Sequence, residues 1–208
     1  MARTAAGPAA GPDVVAVVLA AGEGSRMGHA KQLLPWGDST LLGQTLHNLR
    51  KSSVQQIVVV TGYMAQEVAA IARRAGATVV HNAAYAEGEM LSSLQVAVAQ
   101  LAPTCEAVLV MLADQPLVEP QVIDSLLAAF AESHEQLIAP VFKGRRGNPV
   151  LIGRRHFQEL LALPRGAAPR DLLRRHKDAV HLVSVDSDSV LVDIDLPADY
   201  EAHRPTRE

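Results

Sequence analysis

Three glycines, Gly22, Gly24 and Gly28, are interleaved with Ser25 and Arg26 and followed by Lys31. Glycine permits backbone angles and close approaches that a side chain forbids, so successive N–H groups of such a loop turn toward one anion. Arg26 and Lys31 add positive charge beside that amide cradle, and a triphosphate is the anion that suits the combination. Spacing excludes two other phosphate-binding loops. A dinucleotide loop beginning at Gly22 needs glycine where Met27 stands and an acid about 20 residues on, a region that holds Leu41 and Leu42. A Walker loop needs lysine directly after its last glycine, whereas His29 follows Gly28 and the lysine comes at Lys31.

Carboxylates further along supply a second half of the chemistry. Asp114 follows the apolar run 107–112, and ligands of open α/β sheets collect beyond the carboxyl ends of strands. Mg²⁺ takes one or two carboxylates plus substrate phosphates and water, so Asp114 is either its ligand or the cap of the helix that Pro116 and Pro120 introduce. Of Asp193 and Asp195, only one is expected to face such a metal, the other pointing away if the segment is extended. Thr61, Gly62 and Asn82 follow strand-like runs and are placed to meet a base or ribose. Ser92 and Ser93, taken as the start of a helix, offer hydroxyls and N–H groups to an anion or sugar, or cap that helix. The loop 143–149, KGRRGNP, brings arginines and a close-approaching backbone to an acceptor. Met90 is expected to pack rather than bind. The eight histidines include no pair at helix spacing, so no zinc site is expected. No G-x-S-x-G elbow occurs and Ser25 has no evident base, which leaves no covalent intermediate.

These groups need a rigid frame, and the hydrophobic periodicity supplies one. Residues 14–19, VVAVVL, form the unbroken aliphatic run of a strand covered on both faces, expected at the centre of a parallel sheet. Helices are predicted over 41–51, 65–75, 90–101 and 119–132, and strands over 56–61, 78–81 and 107–112. Beyond residue 137 short strands, helical stretches near Arg155 and Arg170, and terminal strands over 180–194 are expected. Alternating strands and helices mean a doubly wound α/β sheet. Residues 1–12, rich in Ala, Gly and Pro, read as a disordered tail and 13–203 as one domain, with no internal repeat.

Composition narrows the partners. A chain of 208 residues builds a sizeable core, and its net charge of −3 offers no basic field for nucleic acid. The lone Cys105 excludes an intrachain disulfide and fits a reducing cytosol; a surface or half-buried inert thiol is expected there. A signal peptide cleaved near Ala20 would delete the first strand, and no run reaches transmembrane length, so a cytoplasmic protein without a membrane partner is expected.

The ordered motifs resemble the MobA-like NTP transferases, in particular the molybdenum-cofactor cytidylyltransferases. Leu19, Ala20, Ala21, Gly22, Arg26, Met27, Gly28 and Lys31 match the signature L-A-A-G-x-S-x-R-M-G-x-x-K, with Gly24 where serine is common. Gln32-Leu33-Leu34-Pro35, the run 88–94, Asp114-Gln115-Pro116, Arg146-Gly147-Asn148-Pro149-Val150 and Asp193-Ile194-Asp195-Leu196-Pro197 extend the match over 13–203. The resemblance implies a three-layer, Rossmann-like, mostly parallel sheet of the nucleotide-diphospho-sugar transferase type. It implies Mg²⁺ on Asp114 and Asp195, the latter favoured over Asp193, with Arg26 and Lys31 stabilising phosphate charge. CTP is the implied donor, GTP its competitor, and molybdopterin or its molybdenum form the acceptor, met by Gln115, Arg146, Gly147 and Asn148. A molybdoenzyme client follows as a further partner. Two departures stand out: Leu196 replaces the usual threonine, and 164–170 lacks the acid of the family's Gly-Asp-x-Gly-x-Arg pattern. A guanylyltransferase, a sugar- or alcohol-phosphate nucleotidyltransferase and a cofactor-delivery protein are the competing readings.

Overall fold

Val14–Ala20 forms β1, every residue of which is buried. Its side chains alternate between two cores, Val14, Ala16, Val18 and Ala20 joining one and Val15, Val17 and Leu19 the other. That alternation makes the aliphatic run a strand with no solvent face. The computed structural model describes residues 12–24, 30–133 and 136–205. The expected tail and three loop positions of interest, Ser25, Arg26 and Gly28, therefore lie outside the described residues, apart from Pro12.

The remaining elements follow in chain order: β2 (Pro35–Trp36), β3 (Ser39–Thr40), α1 (Leu41–Lys51), β4 (Gln56–Thr61), α2 (Ala65–Arg74), β5 (Thr78–His81), α3 (Tyr85–Val98), β6 (Ala107–Leu112), α4 (Pro120–Ser133) and β7 (Leu137–Phe142). Then come β8 (Arg145–Arg146), β9 (Val150–Gly153), α5 (Phe157–Ala162), α6 (Pro169–Arg175), β10 (Val180–Ser184) and α7 (Pro197–His203). The main sheet runs β10-β7-β9-β6-β1-β4-β5, with β8 beside β7. β1 pairs in parallel with β4 and β6, β4 with β5, and β7 with β10, while β9 is antiparallel to both β6 and β7. Leu residues 42, 46 and 49 of α1, Val68 of α2 and Ile123 and Leu126 of α4 fill one face. Leu91 and Leu94 of α3, Leu160 of α5 and Leu172 of α6 fill the other, giving three layers around a mixed, mostly parallel sheet.

Differences from the sequence reading fall where backbone bonds override pattern. α3 starts at Tyr85 rather than residue 90, because Asn82 Oδ1 accepts the Ala84 N–H at 3.0 Å and begins the helix early. Ser92 and Ser93 therefore sit inside α3 and cap nothing. Of the terminal strands expected over 180–194, only β10 forms; Asp188–Leu191 is a 3₁₀ turn. Cys105 is fully buried, with burial pushing its thiol pKa up. Among the described residues no helix is long and apolar enough to cross a membrane.

The register of β1 against β6 places Leu19 opposite Leu112, and the Ala113 N–H donates to the Leu19 carbonyl at 3.2 Å. Both strands thus end side by side. α1 holds the segment that follows β6: the amide of buried Asn48 donates to the Pro116 and Val118 carbonyls, each at 2.9 Å. Asn48→Ala strands two buried acceptors and is expected to destabilise the fold by about 1–3 kcal/mol, read as a lower urea midpoint. An unchanged midpoint would show that the loop is held by other contacts.

Candidate functional site

Three charged side chains converge where β1 and β6 end. Lys31 opens a 3₁₀ turn, Lys31–Leu33, and its ammonium donates to Asp114 Oδ2 in a very short contact and to Asp195 Oδ1 at 2.6 Å. Burial alone lowers the Lys31 pKa, but attraction to Asp114 and bonds to both carboxylates outweigh it and raise the value, so the ammonium stays charged near neutrality. Asp114 is 7% exposed, and its Oδ1 is buried with no hydrogen-bond partner among the described residues. A buried carboxylate oxygen left without a partner is costly.

The backbone beside these groups is tied down by neutral residues. Gln32, 3% exposed, directs its amide to the carbonyls of Ala20 (3.3 Å) and Gly22 (3.2 Å), pinning the glycine loop beside Lys31. The Ile194 N–H donates to the Asp114 main-chain carbonyl at 3.1 Å, and Ile194 itself is buried with Trp36 and Leu41. Residues two apart in an extended chain share a face, so turning Ile194 inward leaves Asp193 and Asp195 on the same side. The expectation that one of them points away is thereby corrected. They are separated by partner: Asp195 takes Lys31, whereas Asp193 Oδ1 accepts from Gln115 Nε2 at 2.6 Å. Burial, then the charge of Asp114, pushes the Asp193 pKa up. Leu196 has no hydroxyl to accept an N–H from the first turn of α7, and the capping contact here is the Leu196 N–H donating to Asp199 Oδ2 at 2.8 Å.

Two cavities meet at this point. The smaller, about 210 Å³, is lined by Leu19, Ala20, Ala21, Gly22, Lys31, Gln32, Tyr85, Met90, Ser93 and Asp114, with Leu112 and Ala113 between them. The larger, about 660 Å³, is lined by Arg145, Arg146, Gly147, Asn148, Arg170 and Asp193 among others. Met90 and Leu112 line both, so the two are adjoining. Met90 is 45% exposed and lines both cavities, so it does not pack in the core as the sequence suggested.

The candidate residues separate accordingly. Leu19, Ala20, Ala21, Gly22, Lys31, Ser93 and Asp114 share the smaller cavity, and Arg146, Gly147 and Asn148 the larger. Gly24, at φ +65°, is described but lines neither. Thr61, Gly62, Asn82 and Ser92 lie behind the smaller cavity instead of lining it. Thr61 is buried and bonds the Val80 carbonyl; Asn82 donates to Ser92 Oγ at 2.9 Å and Ser93 Oγ at 3.0 Å. A Cβ on Gly62 would meet the Tyr85 ring and the Ala21 carbonyl, so its bareness lets α3 approach the loop. Gln115 is fully buried and orients Asp193 rather than facing the larger cavity. Sequence reasoning gave no role to Tyr85, and none to Gln32 although it stands in the matched run Gln32-Leu33-Leu34-Pro35 beside Lys31. It also missed a histidine pair: His156 and His176, twenty residues apart, have ring centroids 4.7 Å apart.

A three-layer sheet whose central strands end at a lysine, two carboxylates and a glycine loop has the fold and site of a nucleotidyltransferase. The family model of the MobA-like NTP transferase domain matches residues 16–180, and the chain belongs to that family. It is 28% identical over 185 residues to the molybdenum cofactor cytidylyltransferase of Escherichia coli K12, covering 88% of this chain and 92% of that protein. It is 29% identical over 192 residues to the nicotine blue oxidoreductase of Paenarthrobacter nicotinovorans, covering 88% and 93%. The crystal structure of Rv0371c from Mycobacterium tuberculosis superposes with a TM-score of 0.80 at 30% identity, covering 93% of this chain and 97% of that one. A manganese complex of the same mycobacterial protein also matches, with a TM-score of 0.77.

Gly147 offers a test of the larger cavity's wall. A Cβ there would lie 2.2 Å from the Val190 carbonyl oxygen, a backbone atom that cannot rotate aside. Gly147→Ala is expected to destabilise the protein by about 1–3 kcal/mol in urea unfolding. A variant as stable as the wild type would mean that this loop is not packed on Val190.

Proposed function

We propose that this protein transfers CMP from CTP to molybdopterin or its molybdenum form in the cytoplasm, releasing pyrophosphate, for use by a molybdoenzyme client. The observation that carries the reading is the meeting of Asp114 and Asp195 on one cation at the junction of two cavities, one beside a glycine loop and one lined by arginines. The smaller cavity takes the nucleotide, and the larger, within the usual size of a small-molecule site, takes the acceptor.

The unpartnered Oδ1 of Asp114 and the neighbouring carboxylate of Asp195 form an all-oxygen donor set of the kind Mg²⁺ prefers. Asp114 and Asp195 are the residues that would hold it. When bound, Mg²⁺ supplies Lewis-acid neutralisation of phosphoryl oxygens. The manganese complex of the mycobacterial relative supports a divalent ion in this fold. Lys31, permanently charged, binds the triphosphate together with the backbone of 21–24, and Arg26 and Gly28 belong to the same cradle on their sequence match. An acceptor phosphate oxygen attacks the α-phosphorus in line, and the bond to pyrophosphate breaks. The attacking phosphate is already ionised near neutrality, so the chain's work is positioning and charge neutralisation, not proton removal. Arg146 and Asn148 orient the acceptor.

Ala21 supports CTP over GTP. Its side chain takes space beside the nucleotide cavity that a pyrimidine spares and a purine needs, a difference of about 1–3 kcal/mol, or roughly tenfold to two-hundredfold in kcat/KM. The similarity to a nicotine blue oxidoreductase favours a second reading, an oxidoreductase, which requires no pyrophosphate from any NTP.

Pyrophosphate release, measured with each NTP in the presence and absence of molybdopterin, separates these readings. Release with CTP that depends on molybdopterin is expected; release with GTP alone, or with none, contradicts the proposal. Asp114→Asn keeps the side-chain volume and is expected to lower turnover by orders of magnitude in a folded protein; near-normal turnover removes Asp114 from the metal site. Ala21→Gly is expected to raise GTP use relative to CTP, and an unchanged ratio of kcat/KM values removes the steric argument.

A further inference from the structure

Away from the cavities, the fold assembles a cluster that nothing above uses. His156 ends a 3₁₀ turn just before α5, Glu159 lies in the first turn of α5, and His176 is the C-terminal cap of α6. The His176 Nε2–H donates to Glu159 Oε2 at 2.7 Å, and His156 Nδ1 lies 4.0 Å from the same oxygen. One ligand atom from each of the three residues lies within 4.8 Å of the others.

We propose that His156, Glu159 and His176 form a surface site for a zinc-class transition-metal ion that clamps α5 to α6. Two imidazoles and one carboxylate suit Zn²⁺ far better than Mg²⁺, which prefers oxygen alone, so this site and the Asp114–Asp195 pair select different ions. Zinc bonds of about 2.0–2.2 Å put tetrahedral ligands about 3.3 Å apart, so closure needs side-chain movements of about 1 Å. The site is built to allow them. His156 is 6% exposed, while Glu159 and His176 are about one-third exposed at the surface, leaving the fourth position to water. Arg175 approaches Glu159 through the other carboxylate oxygen, Oε1, at 3.4 Å and so orients the ligand from outside. The consequence reaches the larger cavity, because Pro169, Arg170 and Leu173 of α6 form part of its wall. A clamp at the far end of α6 steadies that wall.

Calorimetric titration of the full-length chain with ZnCl₂, in excess MgCl₂ to occupy carboxylate sites, tests the proposal. One equivalent is expected to bind, with affinity lowered at least tenfold by His176→Gln and by Glu159→Gln, both partly exposed positions whose variants fold. Binding to Asp114→Asn is expected to match the wild type. Absence of saturable binding, binding indifferent to both cluster substitutions, or binding lost in Asp114→Asn overturns the site.

Discussion

The charge balance of Lys31 between Asp114 and Asp195 is the interaction on which the site depends. Removing ionised groups from water costs several kcal/mol each, and opposite charge recovers that only when geometry and hydrogen bonds are good. Here the geometry is supplied by backbone pairing together with one buried side-chain amide. β1 and β6 end in register, Ile194 is bonded to the Asp114 carbonyl, and Gln32 fixes the loop that precedes Lys31. Each charged group therefore arrives on a different segment, and each segment is tied to the same strand ends. Even so, Asp114 Oδ1 is left bare, a deficit that makes sense in a place where a cation and phosphates are to be received.

The cavities divide the work that such a centre needs. One is small and bounded by backbone and small residues from Leu19 to Gly22, the surface the proposed function gives to the nucleotide. The other is three times larger and carries Arg145, Arg146 and Arg170, local positive charge in a chain whose net charge is −3. Under the proposed function, an anionic acceptor is drawn to that side without any basic field over the whole protein. Met90 and Leu112 form the shared wall, Asp114 lines the smaller cavity and Asp193 the larger.

Much of this frame was legible in the sequence, because local rules were strong where they mattered. The run VVAVVL could only be a strand buried on both faces, and the strand bounds at Gln56–Thr61, Thr78–His81 and Ala107–Leu112 agree with the structure. Asp114 was legible for the same reason, standing just past a strong central strand. What was not legible depended on tertiary bonds. The early start of α3 needs the Asn82 side chain, the division of Asp193 from Asp195 needs Gln115, and the burial of Thr61 and Asn82 rests on their bonds to Val80 and Ser93. His156 and His176 lie on separate helices, so no spacing rule could join them.

The family assignment and the geometry meet in a single physical claim, that the carboxylates of Asp114 and Asp195 receive a divalent cation beside a bound triphosphate while Lys31 turns to the phosphates. The most direct measurement is anomalous diffraction from crystals of this protein grown with Mn²⁺ and a non-hydrolysable CTP analogue. The account predicts one strong manganese peak bridging Asp114, Asp195 and the analogue's phosphates, with Lys31 Nζ on a phosphate oxygen. A manganese ion elsewhere, or an analogue bound with Lys31 still held between the two carboxylates, would contradict it.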